Sequence, residues 1–314
     1  MEQFLKKKHK KTTEFKIIMY VWKKKSKAMI NPAKKRSFLL ICILALVFVS
    51  VLLSNSNAAA QGNLLITPRR VVFEGSKQSQ ELTLANTGAD TAKYTVSFVQ
   101  YRMTKEGAFE QIEVPDSGQL FADKFLRFFP RTVTLPPNGS QVIRMQYRKN
   151  SDMQEAEYRS HVYFRAIPEE KPLGEDEKPK DSTAIGVKLT PIFGISIPVI
   201  VRNGDLDLKV GLTNLSLDTK SDTVPNLSVT FERSGTKSVY GDLTATWEPA
   251  QGDAVEVGVV RGIAVYTPNT LRNFKMQLRN MPGVNYAKGK LLIKFKAQED
   301  VRAETFADAE LKLE

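Results

Sequence analysis

The chain has 314 residues, 42% hydrophobic and 25% charged, with a formal net charge of +12. Residues 1–60 hold 13 Lys and Arg against only Glu2 and Glu14, whereas the remainder holds 33 basic and 32 acidic side chains. The near-neutral body offers no electrostatic footprint for nucleic acid. With the single cysteine at Cys42, it also has no disulfide, thiolate metal site or cysteine nucleophile.

The first element in chain order is a leader. The basic run AKKR (Ala33 to Arg36) precedes FLLICILALVFVSVLL, Phe38 to Leu53, and SNSNAAA follows up to Gln61. A basic segment, an apolar segment and small residues at the junction predict a secretory signal peptide over 1–60, cut near Gln61. The competing reading is a retained anchor, for which 16 apolar residues fall short of the roughly 20 a span needs. Translation starting at Met29 gives a leader of ordinary length, so Met1 and Met29 both stand as starts. Cys42 lacks the preceding Ala or Gly of a lipid-modified cysteine.

The body then reads as short alternating segments. Leu82 and Leu84 flank Thr83; Tyr94, Val96 and Phe98 alternate with Thr95 and Ser97; Ile143, Met145 and Tyr147 alternate with Arg144 and Gln146; and Leu291, Ile293 and Phe295 recur farther on. Between such segments stand NTGAD, KEGA, LPPNGS, VRNGD, ERSGT and MPGV, which are turn signals. No amphipathic helix longer than two turns is found. The pattern predicts an all-β protein, and the length predicts two immunoglobulin-like β-sandwich domains in tandem, over 61–202 and 203–314, with the hinge at Arg202 to Asp205.

Two stretches near the middle depart from this rhythm. EEKPLGEDEKPKDS, Glu169 to Ser182, has too few apolar side chains to order itself and is expected to be mobile. It precedes IGVKLTPIFGISIPVIV, Ile185 to Val201, in which every odd position is Ile, Val, Leu, Pro or Phe. Period-2 alternation over that length predicts a long strand with one oily edge, far beyond the usual five or six residues.

Catalytic chemistry is poorly represented. His161 is the only histidine after the leader. Its neighbour Ser160 points to the opposite face of a strand, so the two cannot form a nucleophile–base pair. His161 therefore reads as a structural or surface residue. No phosphate-cradling glycine loop appears, and the carboxylates are scattered. The sequons at Asn138, Asn214 and Asn226 need only turn chemistry. No enzyme activity, cofactor or metal is expected.

Four stretches in order carry a resemblance: ITPRRVVFEG with ELTLANTG, then RFFPRTVTLPPNGSQVIRM, then YRSHVYFRAIP, then the polar loop and the long alternating strand. Together they resemble the periplasmic pilus-assembly chaperones of the P-pilus chaperone superfamily. The likeness covers about 140 residues of the first domain; the second matches only in length and strand-rich character. The resemblance implies a periplasmic protein that binds pilus or fimbrial subunits, incomplete sandwiches to which it lends a strand, for delivery to an outer-membrane assembly platform, the usher. It places the lent side chains at Val187, Leu189, Pro191 and Phe193, and implies main-chain pairing for affinity with alternate side chains for register. It also implies a basic pair gripping the subunit's terminal carboxylate, with Arg70 as its arginine. At the lysine's position the sequence departs: alignment lands on Pro198 or Ser196, so either Lys188 stands as a substitute or Arg70 and backbone donors hold the carboxylate alone. No stable membrane insertion follows after cleavage.

Two other classes compete. A pilus subunit or two-domain adhesin would carry an alternating extension at its mature N-terminus, whereas QGNLLITPRRVVF reaches a core strand almost at once. A carbohydrate-binding module would want clustered exposed aromatics, and Trp247, in TATWEP, reads as core.

Overall fold

A computed structural model describes residues 64–151, 153–168, 192–220, 224–298 and 304–313. Among the described residues there are eighteen strands and one short 3-10 turn, Asp123–Phe125. The protein is all-β, and its two tandem immunoglobulin-like sandwiches are those expected from the alternating segments.

In the first sandwich one sheet runs β1 (Leu64–Thr67), β3 (Ser79–Asn86), β9 (Ser140–Tyr147) and β7 (Leu126–Phe129). The facing sheet runs β2 (Val71–Phe73), β11 (Gly194–Asn203), β10 (Ala156–Ile167), β4 (Ala92–Val99) and β8 (Thr132–Leu135). Leu82, Leu84, Ile143 and Met145 of one sheet meet Val162, Phe164, Val199 and Val201 of the other in a single core. Period-2 alternation decides this, because each strand turns every second side chain inward. Each fully buried Leu, Ile or Phe contributes about 1.5–3 kcal/mol. A hairpin of β5 (Tyr101–Met103) and β6 (Phe109–Gln111) stands apart from both sheets.

The second sandwich packs β12 (Leu208–Asp218), β13 (Asn226–Gly235) and β16 (Leu271–Gln277) against a second sheet. That sheet orders β15 (Val255–Val265), β14 (Val239–Glu248), β17 (Gly289–Lys296) and β18 (Thr305–Leu313). Phe231, Leu243, Trp247, Ile293 and Phe295 lie in its core. Trp247 is core, as its strand position suggested, and its indole N–H donates to the Lys288 carbonyl at 2.9 Å. Asn138 and Asn214 adopt φ of 57° and 51°, a left-handed backbone that Asn tolerates. The first sits in the turn before β9 and the second at a register shift within β12.

The alternating run differs from its expected extent. Among the described residues the strand runs from Gly194 to Asn203, two residues past Val201, with Ile192 and Phe193 before it. Of the nine positions expected to face inward, Ile195, Ile197, Val199 and Val201 belong to or pack against the first core, Phe193 is exposed, and the other four lie outside the described residues. Val187, Lys188, Leu189 and Pro191 lie outside the described residues, as do the stretch Glu169 to Ser182 and the leader.

Candidate functional site

The odd positions of β11 face the first core, so its even positions face away, toward the second sandwich. Strand pairing sets what stands beside them. β11 runs antiparallel to β10, with Arg202 opposite Glu157, Ile200 opposite Arg159 and Pro198 opposite His161. On its other side it runs parallel to β2, with Ile200 opposite Val72. The outer face therefore carries three rows: Glu74–Arg202–Glu157, Val72–Ile200–Arg159 and Arg70–Pro198–His161.

The first row locks the sandwiches together. Arg202 Nε donates to Glu157 and its Nη1 to Glu74, both at 3.1 Å. The Glu157 side chain has no exposure at all. From the second sandwich, the Ser238 amide donates to Glu157 at 3.1 Å and the Ser238 hydroxyl makes a short hydrogen bond to the same carboxylate. Arg202 Nη2 returns a bond to the Ser238 carbonyl at 3.2 Å. A buried carboxylate needs donors to replace water on its lone pairs, and four groups do so here once Thr267 Oγ1 at 3.5 Å is included.

The second row is apolar on two strands. Ile200 is fully buried with Met103, Ala264 and Tyr266, and Val72 and Tyr240 pack beside them. The β5–β6 hairpin closes this contact, since Asn269 Nδ2 donates to the Met103 carbonyl at 2.7 Å. Asn273 N donates to the Lys105 carbonyl at 2.6 Å.

The third row holds the expected anchor. Arg70 projects from the start of β2 onto the second sandwich, its guanidinium 4.6 Å from the Tyr240 ring centre and 5.6 Å from that of Tyr266. Its Nη1 is buried and has no hydrogen-bond partner. Burial lowers its pKa, with the Tyr266 side chain opposing. Arg69, in the bend between β1 and β2, is exposed. Arg70, Arg202, Lys237, Arg261 and Tyr240 line a cleft of about 630 Å³. Pro198 and Ser196, where the resemblance puts a lysine, both occupy even positions of this face.

His161 is buried, not on the surface, between the edges of Tyr101 and Phe109 at 5.0 and 5.5 Å. Burial first, and Arg159 second, push its pKa down to about 3. Ser160 faces the opposite way and accepts from the amides of Ala122 and Asp123, so no nucleophile–base pair exists. Sequence reasoning missed Arg159, which is 2% exposed. The available signal was its place in YRSHVYF: an ionised side chain, on the same face as His161, within a strand otherwise buried.

The edge of β11 completes the site. β2 pairs with β11 only from Val199 to Val201. Among the described residues Gly194 to Pro198 is paired on the β10 side alone. Ile192 and Phe193, just upstream, are each 44% exposed. Phe193 is the one expected donor side chain that falls within the described residues, and the Ala166 amide donates to its carbonyl at 2.9 Å. The arrangement combines a half-open strand edge, exposed apolar side chains leading into it, and a cationic cleft at its far end.

No protein-family model matches the chain, and no curated protein does. Solved structures similar to it include the YadV chaperone, 14% identical with a TM-score of 0.41 over 80% of this chain and 100% of that one. The Pseudomonas aeruginosa CupB2 chaperone is 15% identical, with a TM-score of 0.38 over 80% and 100% of the two chains. The CsuC–CsuE chaperone–tip adhesion subunit pre-assembly complex of Acinetobacter baumannii is 13% identical, with a TM-score of 0.39 over 79% and 97%.

Proposed function

We propose that this chain is a periplasmic chaperone that holds pilus or fimbrial subunits by lending them the strand leading into β11. The observation that carries the reading is the half-open edge of β11. Among the described residues Gly194 to Pro198 has no partner strand on one side, and an exposed strand edge is a template for another chain. The alternating sequence continues upstream through Pro191, Leu189 and Val187 with the parity of Phe193. A subunit groove that buried these four side chains would gain roughly 6–12 kcal/mol gross, before the costs of ordering.

Arg70 anchors the subunit's carboxylate in this reading, supported by its buried, unpartnered Nη1 in the cleft. The leader over 1–60 directs the chain to the periplasm and is removed near Gln61. Residues 61–202 form the strand-lending domain and 203–314 the second sandwich. Delivery to an usher follows from the same reading.

The test is capture. Phe193→Glu and Leu189→Glu are expected to abolish recovery of co-expressed subunits, because an ionised carboxylate in an apolar groove costs several kcal/mol. Circular dichroism should show both variants folded. Undiminished recovery by both would end the strand-lending proposal, and so would unfolding of both, which would assign these side chains to the protein's own core.

A further inference from the structure

The β5–β6 hairpin belongs to the first sandwich by chain order yet lies against the second. Its register puts Tyr101 opposite Gln111 and Met103 opposite Phe109, so Tyr101, Met103 and Phe109 share one face. The Tyr101 and Phe109 rings of that face stand against His161 of β10. Phe109 is also 6.1 Å from the Tyr266 ring of the second sandwich, and Met103 is buried with Ile200 and Ala264. Arg159 braces the base of the hairpin. It donates through Nη2 to the Tyr101 carbonyl at 3.1 Å, while its guanidinium lies 4.3 Å from the Tyr266 ring centre.

The tip reaches farther. Asn269 Nδ2 donates to the Met103 carbonyl at 2.7 Å, and the Asn273 amide donates to the Lys105 carbonyl at 2.6 Å. The strand that carries Asn273, β16, is the edge of its sheet, so the hairpin turn stands where a further strand would pair. Gly107, at φ 84°, lies so close to the Arg272 guanidinium that a Cβ would collide with it.

These contacts stand on the opposite side of β11 from the cleft: β10 carries them on one flank, and β2 lines the cleft on the other. The Glu74–Arg202–Glu157 row sits at the hinge end of β11. His161 pairs opposite Pro198, and the four residues from Arg202 to Pro198 span about 13 Å. An attachment beside a hinge leaves the parts beyond it free to swing, and linked domains move relative to one another unless a further contact stops them. The hairpin makes that contact. A two-stranded hairpin is marginally stable by itself in water, so its order depends on both sandwiches at once.

We infer that the β5–β6 hairpin is a strut that fixes the angle between the two sandwiches, and with it the width of the cleft, in the free protein. The cleft takes Arg70 and Arg202 from the first sandwich and Tyr240 and Arg261 from the second. Its shape is therefore set by their relative orientation, and an arriving partner meets a preset opening instead of having to order one. The strut holds the same angle whatever the cleft receives.

The test is the orientation of the sandwiches in the purified full-length protein without a partner, by residual dipolar couplings and amide hydrogen exchange. Wild type is expected to give one alignment tensor for both sandwiches and to protect the Asn273 amide about as strongly as amides within the β13–β16 ladder. Asn269→Ala combined with Asn273→Pro removes both donors to the hairpin. The proline is tolerable because β16 is an edge strand and the Asn273 N–H faces outward. This variant is expected to lose the shared tensor and give two of unequal size. A shared tensor retained in the variant would assign the angle to the Arg202–Glu157–Ser238 contacts alone and overturn the inference. Two tensors in the wild type, or an unprotected Asn273 amide there, would overturn it equally, and neither reading depends on a variant folding.

Discussion

Glu157→Gln tests how the two sandwiches are held. The substitution keeps shape and removes charge at a side chain with no exposure. Its carboxylate receives Arg202 Nε at 3.1 Å, the Ser238 amide at 3.1 Å and the Ser238 hydroxyl. A glutamine can keep its oxygen toward Arg202 Nε and the Ser238 amide and turn its NH2 to the Ser238 hydroxyl, which can reverse and accept, so the chief loss is the charge facing Arg202. Arg202 then keeps one carboxylate, Glu74, which is 54% exposed, and the Ser238 carbonyl. Removing one partner of a buried pair typically costs about 3–5 kcal/mol. With a urea slope of roughly 2–3 kcal/mol/M for a body of this size, the unfolding midpoint should fall by about 1–2 M, read by circular dichroism and by Trp247 fluorescence. Glu157→Gln combined with Arg202→Met should cost less than the sum of the single changes, because it removes the stranded charge as well. A single-variant loss below about 1 kcal/mol, or simple additivity, would refute the claim that this pair joins the sandwiches.

Two further outcomes follow from the same structure. His161 has a folded pKa of about 3, below its ordinary 6.5, so its stabilising contribution is complete above pH 6.5 and is lost as pH falls toward 3. His161→Leu should flatten the pH dependence of the melting temperature across that window, by up to about 1.4 kcal/mol per pH unit, and an unchanged slope would show that His161 titrates freely. In β14, a methyl group on Gly241 would collide with the Lys296 carbonyl of the paired strand. Gly241→Ala should therefore cost about 1–3 kcal/mol in urea unfolding, and wild-type stability would mean that β14 and β17 do not approach so closely.

The all-β class was legible because its cause is local. Leu82 and Leu84, or Leu291, Ile293 and Phe295, alternate in the sequence and alternate in burial. Arg70 came from the resemblance, which put it just before Val71; its place against the Tyr240 and Tyr266 rings depends on residues far along the chain. Arg159 was not legible, because its meaning comes from Tyr266 and Tyr101, which reach it from distant parts of the chain. The burial of His161 was hidden for the same reason: Phe109 arrives on a hairpin that belongs to neither sheet. The far end of the long strand, at Asn203 rather than Val201, was not legible because alternation records which side chains are apolar, whereas a strand ends where its neighbour's ladder ends.

The first ten described residues belong to both layers of the first sandwich: β1 pairs with β3 in one sheet, and β2 meets β11 in the other. Val71 thus waits for Val199, the whole length of the domain away. Closing so large a loop has an entropic cost that must be met before the contact stabilises anything, and such topologies fold slowly. For a chain delivered N-terminus first, the opening segment emerges early and is fixed last. Until β11 arrives, Val71 and Phe73 have no sheet to enter, and the interval between synthesis and closure is the period in which this molecule is itself most exposed to aggregation.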